Sequence, residues 1–125
     1  DLVQLCMLAC DQQLDSAQIE FDERAAVGVV LAAKGYPGAY PKGDEIHGLE
    51  DAAALPGKVF HAGTKIDGDK IVTNGGRVLC ATGLGKTVTE AQQNAYALVD
   101  AIDWQGVMFR TDIAYRAIAR ENNKK

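Results

Sequence analysis

The hydrophobic pattern is densest over residues 58–102, where three short apolar runs give way to a helical period. Asp67-Gly68 separates the first two runs, and Asn74-Gly75-Gly76 separates the second from the third. Such pairs between β-type runs mark hairpins, because a type I′ turn needs positive φ at both central residues. The pattern therefore predicts a three-stranded meander over about residues 58–66, 69–73 and 77–82. The spacing then changes. Val88, Ala91, Ala95, Leu98, Val99 and Ile102 fall on one helical face. Thr87-Val88-Thr89-Glu90 precedes them as a capping box. In it the Thr87 hydroxyl accepts from the Glu90 amide, and Glu90 reaches back to the Thr87 amide.

Upstream, Leu2, Leu5, Cys6, Ala9, Cys10 and Leu14 repeat at helical spacing and predict a helix over residues 1–14. Its apolar face is too short to form a domain, so residues 1–16 are expected to pack on a region that precedes them. The chain reads as a piece of something longer, with one domain over residues 17–125. Residues 25–33 are continuously apolar, as in a strand buried on both faces or a short core helix. Their β-branched residues and Gly28 favour a strand in the interior of the sheet. Residues 34–48 are rich in Gly and Pro, and Tyr36-Pro37 and Tyr40-Pro41 force extended or turn geometry. This loop is either a binding loop or a surface loop packed by its own tyrosines. A short helical turn is expected over residues 49–55. Residues 104–109 either pair as an edge or close the helix before them. Thr111-Asp112 resembles an N-cap for a last helix with Ile113, Ala117 and Ile118 inward, and residues 121–125 a frayed tail. The fold class is α+β: a small antiparallel sheet of about four strands with packed helices.

A chain of 125 residues, 47% hydrophobic and 24% charged, suits one globular domain. Its net charge of −4 argues against a general nucleic-acid binder, and no apolar run is long enough to span a bilayer. No signal peptide is visible. Cys6, Cys10 and Cys80 are odd in number and read as small buried hydrophobes, which fits a reducing cytoplasm. His47 and His61 lack ligand-spaced neighbours, so no zinc site is expected.

Two stretches could carry chemistry. Gly83-Leu84-Gly85-Lys86-Thr87 lies between a strand and a helix, the setting of a phosphate-binding P-loop. The earlier glycine of that pattern is replaced by Cys80, and the sheet is antiparallel. The other reading is a turn into a capped helix with Lys86 in water. Gly75-Gly76-Arg77 is the second stretch. Two glycines allow close backbone approach, and an arginine fork binds phosphate or carboxylate. Alternatively the glycines only turn the chain and Arg77 pairs with a surface acid. No Ser-His-Asp arrangement and no His-Glu-x-x-His motif is present.

Several segments together resemble the C-terminal region of the phosphoribosylamine–glycine ligases (glycinamide ribonucleotide synthetases). They are Leu31-Ala32-Ala33-Lys34-Gly35-Tyr36-Pro37-Gly38, Val59-Phe60-His61-Ala62-Gly63-Thr64, Val72-Thr73-Asn74-Gly75-Gly76-Arg77-Val78-Leu79-Cys80 and Arg110-Thr111-Asp112-Ile113 through Ile118. The match covers nearly the whole chain in order. It implies a rudimentary hybrid-motif domain of an ATP-grasp ligase, preceded by the ATP-grasp region's last helix and capping its cleft. The implied reaction activates glycine with ATP and Mg²⁺ (or Mn²⁺) and joins it to 5-phosphoribosylamine. ATP and metal would be held mainly outside this chain, by the ATP-grasp domain, and the enzyme's own N-terminal and ATP-grasp domains would be the chain's partners. The chain alone would be inactive, with neither nucleic acid nor membrane as partner. Carried over by position, Arg77 would contact the substrate phosphate with Gly75 and Gly76, Lys65 would help, and Tyr36 would stand in a second wall. Gly83 and Ala114 depart from the family, where alanine and glycine are expected. The other readings are a P-loop-like nucleotide-binding module and a docking domain of another ATP-grasp protein.

Overall fold

A computed structural model describes residues 1–123. β5 (Arg77–Gly85) is its central strand, paired antiparallel with β1 (Ala25–Ala32) on one side and β2 (Lys58–His61) on the other. α3 (Val88–Asp100) follows β5 after a two-residue turn and lies across β1 and β5. The core forms between them. Val27, Val29 and Leu31 of β1, Leu79 and Ala81 of β5, and Ala91, Ala95, Leu98 and Val99 of α3 are all buried. The α+β class and the inward face of α3 thus agree with the sequence pattern.

Two glycines set the depth of this contact. A Cβ at Gly83 would lie 2.4 Å from the Ala91 carbonyl oxygen, and one at Gly85 would lie 2.4 Å from the Ala91 amide nitrogen. Only a residue without a side chain lets the helix backbone settle so close to a strand.

β1 departs from expectation. It is an edge strand, extended only by a bridge between Ala32 and Met108, and its burial alternates. Val30 is 42% exposed between buried Val29 and Leu31. The continuous apolar run therefore reflects one face packed under α3 and a second face that nothing among the described residues covers.

The meander also resolves differently. The first run breaks at Ala62-Gly63, where both amides donate to the Val78 carbonyl. β3 (Thr64–Asp67) then pairs with β4 (Lys70–Thr73) as a separate two-stranded sheet, so the described residues form five strands in two sheets. Asn74-Gly75-Gly76 is not a hairpin turn. Its glycines serve a chain crossing: a Cβ on Gly63 would lie 2.7 Å from the Gly75 Cα. The Asp67-Gly68 signal does mark a hairpin, with Asp67 opposite Lys70. Positive φ falls on Gly68 but not on Asp69, as in a type II′ turn rather than I′. The end of the 34–48 loop runs beside β4, with Gly43 donating to the Thr73 carbonyl at 2.7 Å and Ile46 to that of Ile71 at 2.9 Å. α2 (Leu49–Ala53) follows it.

The helix ends carry three more differences. Thr87 Oγ1 accepts from the Glu90 amide at 3.1 Å, but Glu90 reaches the Lys86 amide, at 2.7 Å, one residue beyond the expected one. α4 (Tyr115–Asn122) starts after Ala114, not at Thr111-Asp112, and Ala114 adopts φ 69°. Glu121 is no frayed tail residue: its carboxylate accepts from the Val88 amide at 3.0 Å and from Thr89 Oγ1 at 3.3 Å. Lys124 and Lys125 lie outside the described residues.

α1 (Leu2–Cys10), capped by Asp1, packs on a 3-10 turn at Leu14–Ser16, and none of its residues is buried. Cys6 and Cys10 are consequently exposed rather than core, and Cys80 is partly buried. No helix among the described residues is long and apolar enough to cross a membrane.

Gly83→Ala is expected to lower stability by roughly 1–3 kcal/mol, since the new methyl group must displace helix backbone. Ala114→Gly is expected to raise stability by about 1 kcal/mol by relieving a left-handed conformation. Urea unfolding monitored by circular dichroism checks both.

Candidate functional site

Arg77 opens β5 beside an irregularity in the pairing. Leu31 faces Leu79 but Ala32 faces Arg77, so Val78 is an extra residue on β5. Such a bulge turns two successive side chains to one face. Val78 and Leu79 are both fully buried, while Arg77 on one side is exposed and Cys80 on the other is partly exposed. Arg77 thus stands on the face of the sheet opposite α3. Its guanidinium has no ion pair or hydrogen-bond partner among the described residues.

The chain before Arg77 is held from two sides. A Cβ on Gly76 would lie 2.2 Å from Tyr36 Cδ2 and 3.0 Å from Tyr40 Cε1. The two rings, with centroids 6.3 Å apart and planes at 56°, close over this glycine. The Gly76 carbonyl accepts from the Ala33 amide at 2.8 Å, and the Gly63 carbonyl accepts from the Asn74 amide at 2.7 Å. Neither Gly75 nor Gly76 has positive φ, so both are needed for space, not for a turn.

The structure therefore brings Tyr36, Gly75, Gly76 and Arg77 together. Lys65 is exposed on β3, opposite Val72 in the separate hairpin, and no hydrogen bond joins it to the other four. Tyr40 belongs to the cluster and was legible only as one of two loop tyrosines. The contact of His61 Nδ1 with Thr64 Oγ1 at 3.0 Å fixes the corner between β2 and β3, and no spacing in the sequence marks it.

The P-loop reading does not survive the geometry. Gly83 to Gly85 are paired strand residues, and both glycines face α3. The helix N-terminus that would bind phosphate is already filled. Lys86 donates its amide to Glu90, Val88 and Thr89 donate theirs to Glu121, and Glu90 donates its own to Thr87. Two carboxylates occupy amides of this positive helix end and repel a nucleotide.

Among the described residues, no group of three or more His, Cys, Asp or Glu side chains is placed to hold a metal ion. Displaced ionisations lie at surface pairs elsewhere. The hydrogen bond and charge of Arg24 bring Asp22 down to about 2. Lys70 likewise holds Glu45 below its ordinary range, and Arg110 does so for Asp112. Tyr96 Oη donates to the Arg110 carbonyl at 2.7 Å and accepts from the Ile113 amide at 3.1 Å, pinning that last loop to α3.

Residues 26–116 match the family described as phosphoribosylglycinamide synthetase, C domain. The chain belongs to this family. It is 60% identical over 124 residues to the phosphoribosylamine–glycine ligase of Salmonella typhimurium, covering 98% of this chain and 29% of that protein. The Escherichia coli enzyme of the same name is 58% identical over the same coverage. The crystal structure of the Thermotoga maritima phosphoribosylamine–glycine ligase superposes with a TM-score of 0.67 at 39% identity, over 86% of this chain and 27% of that one. The chain thus spans under a third of its relatives' length. The family resemblance read from the segments around Tyr36, Arg77 and Asp112 agrees with this membership.

Gly76→Ala is expected to push Tyr36 and Tyr40 apart, changing the near-ultraviolet tyrosine circular dichroism and costing roughly 1–3 kcal/mol in stability. An unchanged tyrosine signal would contradict the packing described.

Proposed function

We propose that this chain serves as the C-terminal domain of a phosphoribosylamine–glycine ligase. In that reading the full protein joins glycine to 5-phosphoribosylamine, with ATP converted to ADP and phosphate, in purine biosynthesis. Phosphorylation turns the glycine carboxylate into an acyl phosphate, and the amine of phosphoribosylamine then displaces phosphate from it. This domain would close one side of the cleft and contact the phosphate of phosphoribosylamine. Family membership and high identity to the named ligases support the reading. The observation that carries the domain's own part is the unpaired, exposed Arg77 beside a glycine backbone held in place by two tyrosine rings.

The chemistry expected of the described residues is binding, not bond-making. They offer no metal-ligating group and no free phosphate loop, so ATP and Mg²⁺ would be held by parts of the ligase outside this chain. Arg77 would supply a fixed planar fork to a phosphate dianion, and Tyr36 would stiffen the backbone that carries it. Residues 1–16 would belong to the preceding ATP-grasp region, and a cytoplasmic location would follow from the pathway.

In the full-length protein, Arg77→Ala is expected to raise KM for phosphoribosylamine about 10- to 100-fold, the worth of a charge-assisted hydrogen bond of about 1.5–3 kcal/mol. KM for ATP should stay within about twofold, because the lost contact binds only the substrate phosphate. An unchanged KM for phosphoribosylamine would remove Arg77 from the site.

A further inference from the structure

The three-stranded sheet has one face under α3 and one face open. Pairing places Val30, Cys80 and Phe60 in one row across the open face, since Cys80 is opposite both others. Val30 is 42% and Phe60 53% exposed. The remaining open positions on β1 are Ala26, Gly28 and Ala32, none of them polar. An antiparallel sheet that meets water on one side carries polar residues there. This one carries an apolar row, and the charges on its open face are both positive: Arg77 at one end and Lys58 opposite Thr82. The chain has 17 acidic residues and a net charge of −4, yet the strands' open face carries no acid, a distribution that favours an anionic neighbour.

We propose that this open face, rather than the helical side, is the surface that closes on the remainder of the ligase polypeptide. The row of Val30, Cys80 and Phe60 packs on an apolar wall of that body, and Arg77, about 10 Å further along β5, reaches the anionic substrate at the rim. The occupant is the rest of the same chain. More than two thirds of each relative's length lies outside the part matched here, so the full protein has the mass to cover the face. The inference rests on the function proposed above and adds which surface meets the cleft.

The test uses the full-length protein and two matched positions. Val30 lies on the open face, and Ile66, 79% exposed, lies on the β3–β4 hairpin. Alkylation of Val30→Cys, read by peptide mass, should be at least about tenfold slower than that of Ile66→Cys, since an occluded thiol cannot be attacked. Val30→Glu should lower kcat/KM by at least about tenfold, because docking would bury an unpaired carboxylate, while Ile66→Glu stays within about twofold. Equal alkylation rates would overturn the inference whatever Arg77→Ala does. Slow alkylation at Val30→Cys with wild-type kinetics for Arg77→Ala would sustain the docking face and reject only the phosphate contact.

Discussion

Helix α3 lies so close to β5 that a Cβ at Gly83 or Gly85 would sit 2.4 Å from helix backbone. That approach is the constraint on which the rest of the domain depends. It puts Ala91 and Ala95 of α3, both short, directly over the strand, so the larger Leu98 and Val99 reach past it to the core. It fixes β5 as the strand that both neighbours must join. It also places the start of α3 where Glu121 of α4 can cap it, tying the last helix to α3 through the Val88 amide.

A second pair of glycines positions the candidate site. Gly63 and Gly75 cross with backbone against backbone, which separates β4 from β5 and sends the β3–β4 hairpin into its own sheet. The same crossing delivers Gly76 under Tyr36 and Tyr40 and leaves Arg77 at the first position of β5. The bulge at Val78 then aims Arg77 to the open side. Charge is allotted accordingly. The helix terminus that could have held an anion is filled by the chain's own carboxylates, and Arg77, which has no partner among the described residues, stands on the open face of the sheet.

Much of this was legible in the chain. The helical period of Val88 to Ile102, the Thr87 cap and the Asp67-Gly68 hairpin depend on local spacing, and local spacing is what a sequence displays. The failures are non-local. Gly63 reads as one more glycine until its partner Gly75 is known, so the first strand seemed to continue to residue 66. Gly83 and Gly85 read as a turn into the capped helix, with a phosphate loop as the other reading, because nothing in their neighbourhood reveals that they continue the strand and that a helix will press on them. The apolar run of β1 suggested burial on both faces, whereas here one face is uncovered. Cys6 and Cys10 share that cause: their helix has an apolar pattern, and none of its residues is buried among the described residues. Of the candidate site, Gly75-Gly76-Arg77 was visible as a run suited to phosphate, and Tyr36 as part of a loop that could form a second wall. The packing of Tyr36 on Gly76 was not visible, since it depends on the 34–48 loop folding back.

The most direct test of the account is ADP release by the full-length protein supplied with Mg-ATP, with glycine and phosphoribosylamine each omitted in turn. The account requires that release depend on both. ADP formed at the full rate without phosphoribosylamine would contradict it, because a domain whose arginine serves that substrate's phosphate would then have no part in the turnover observed.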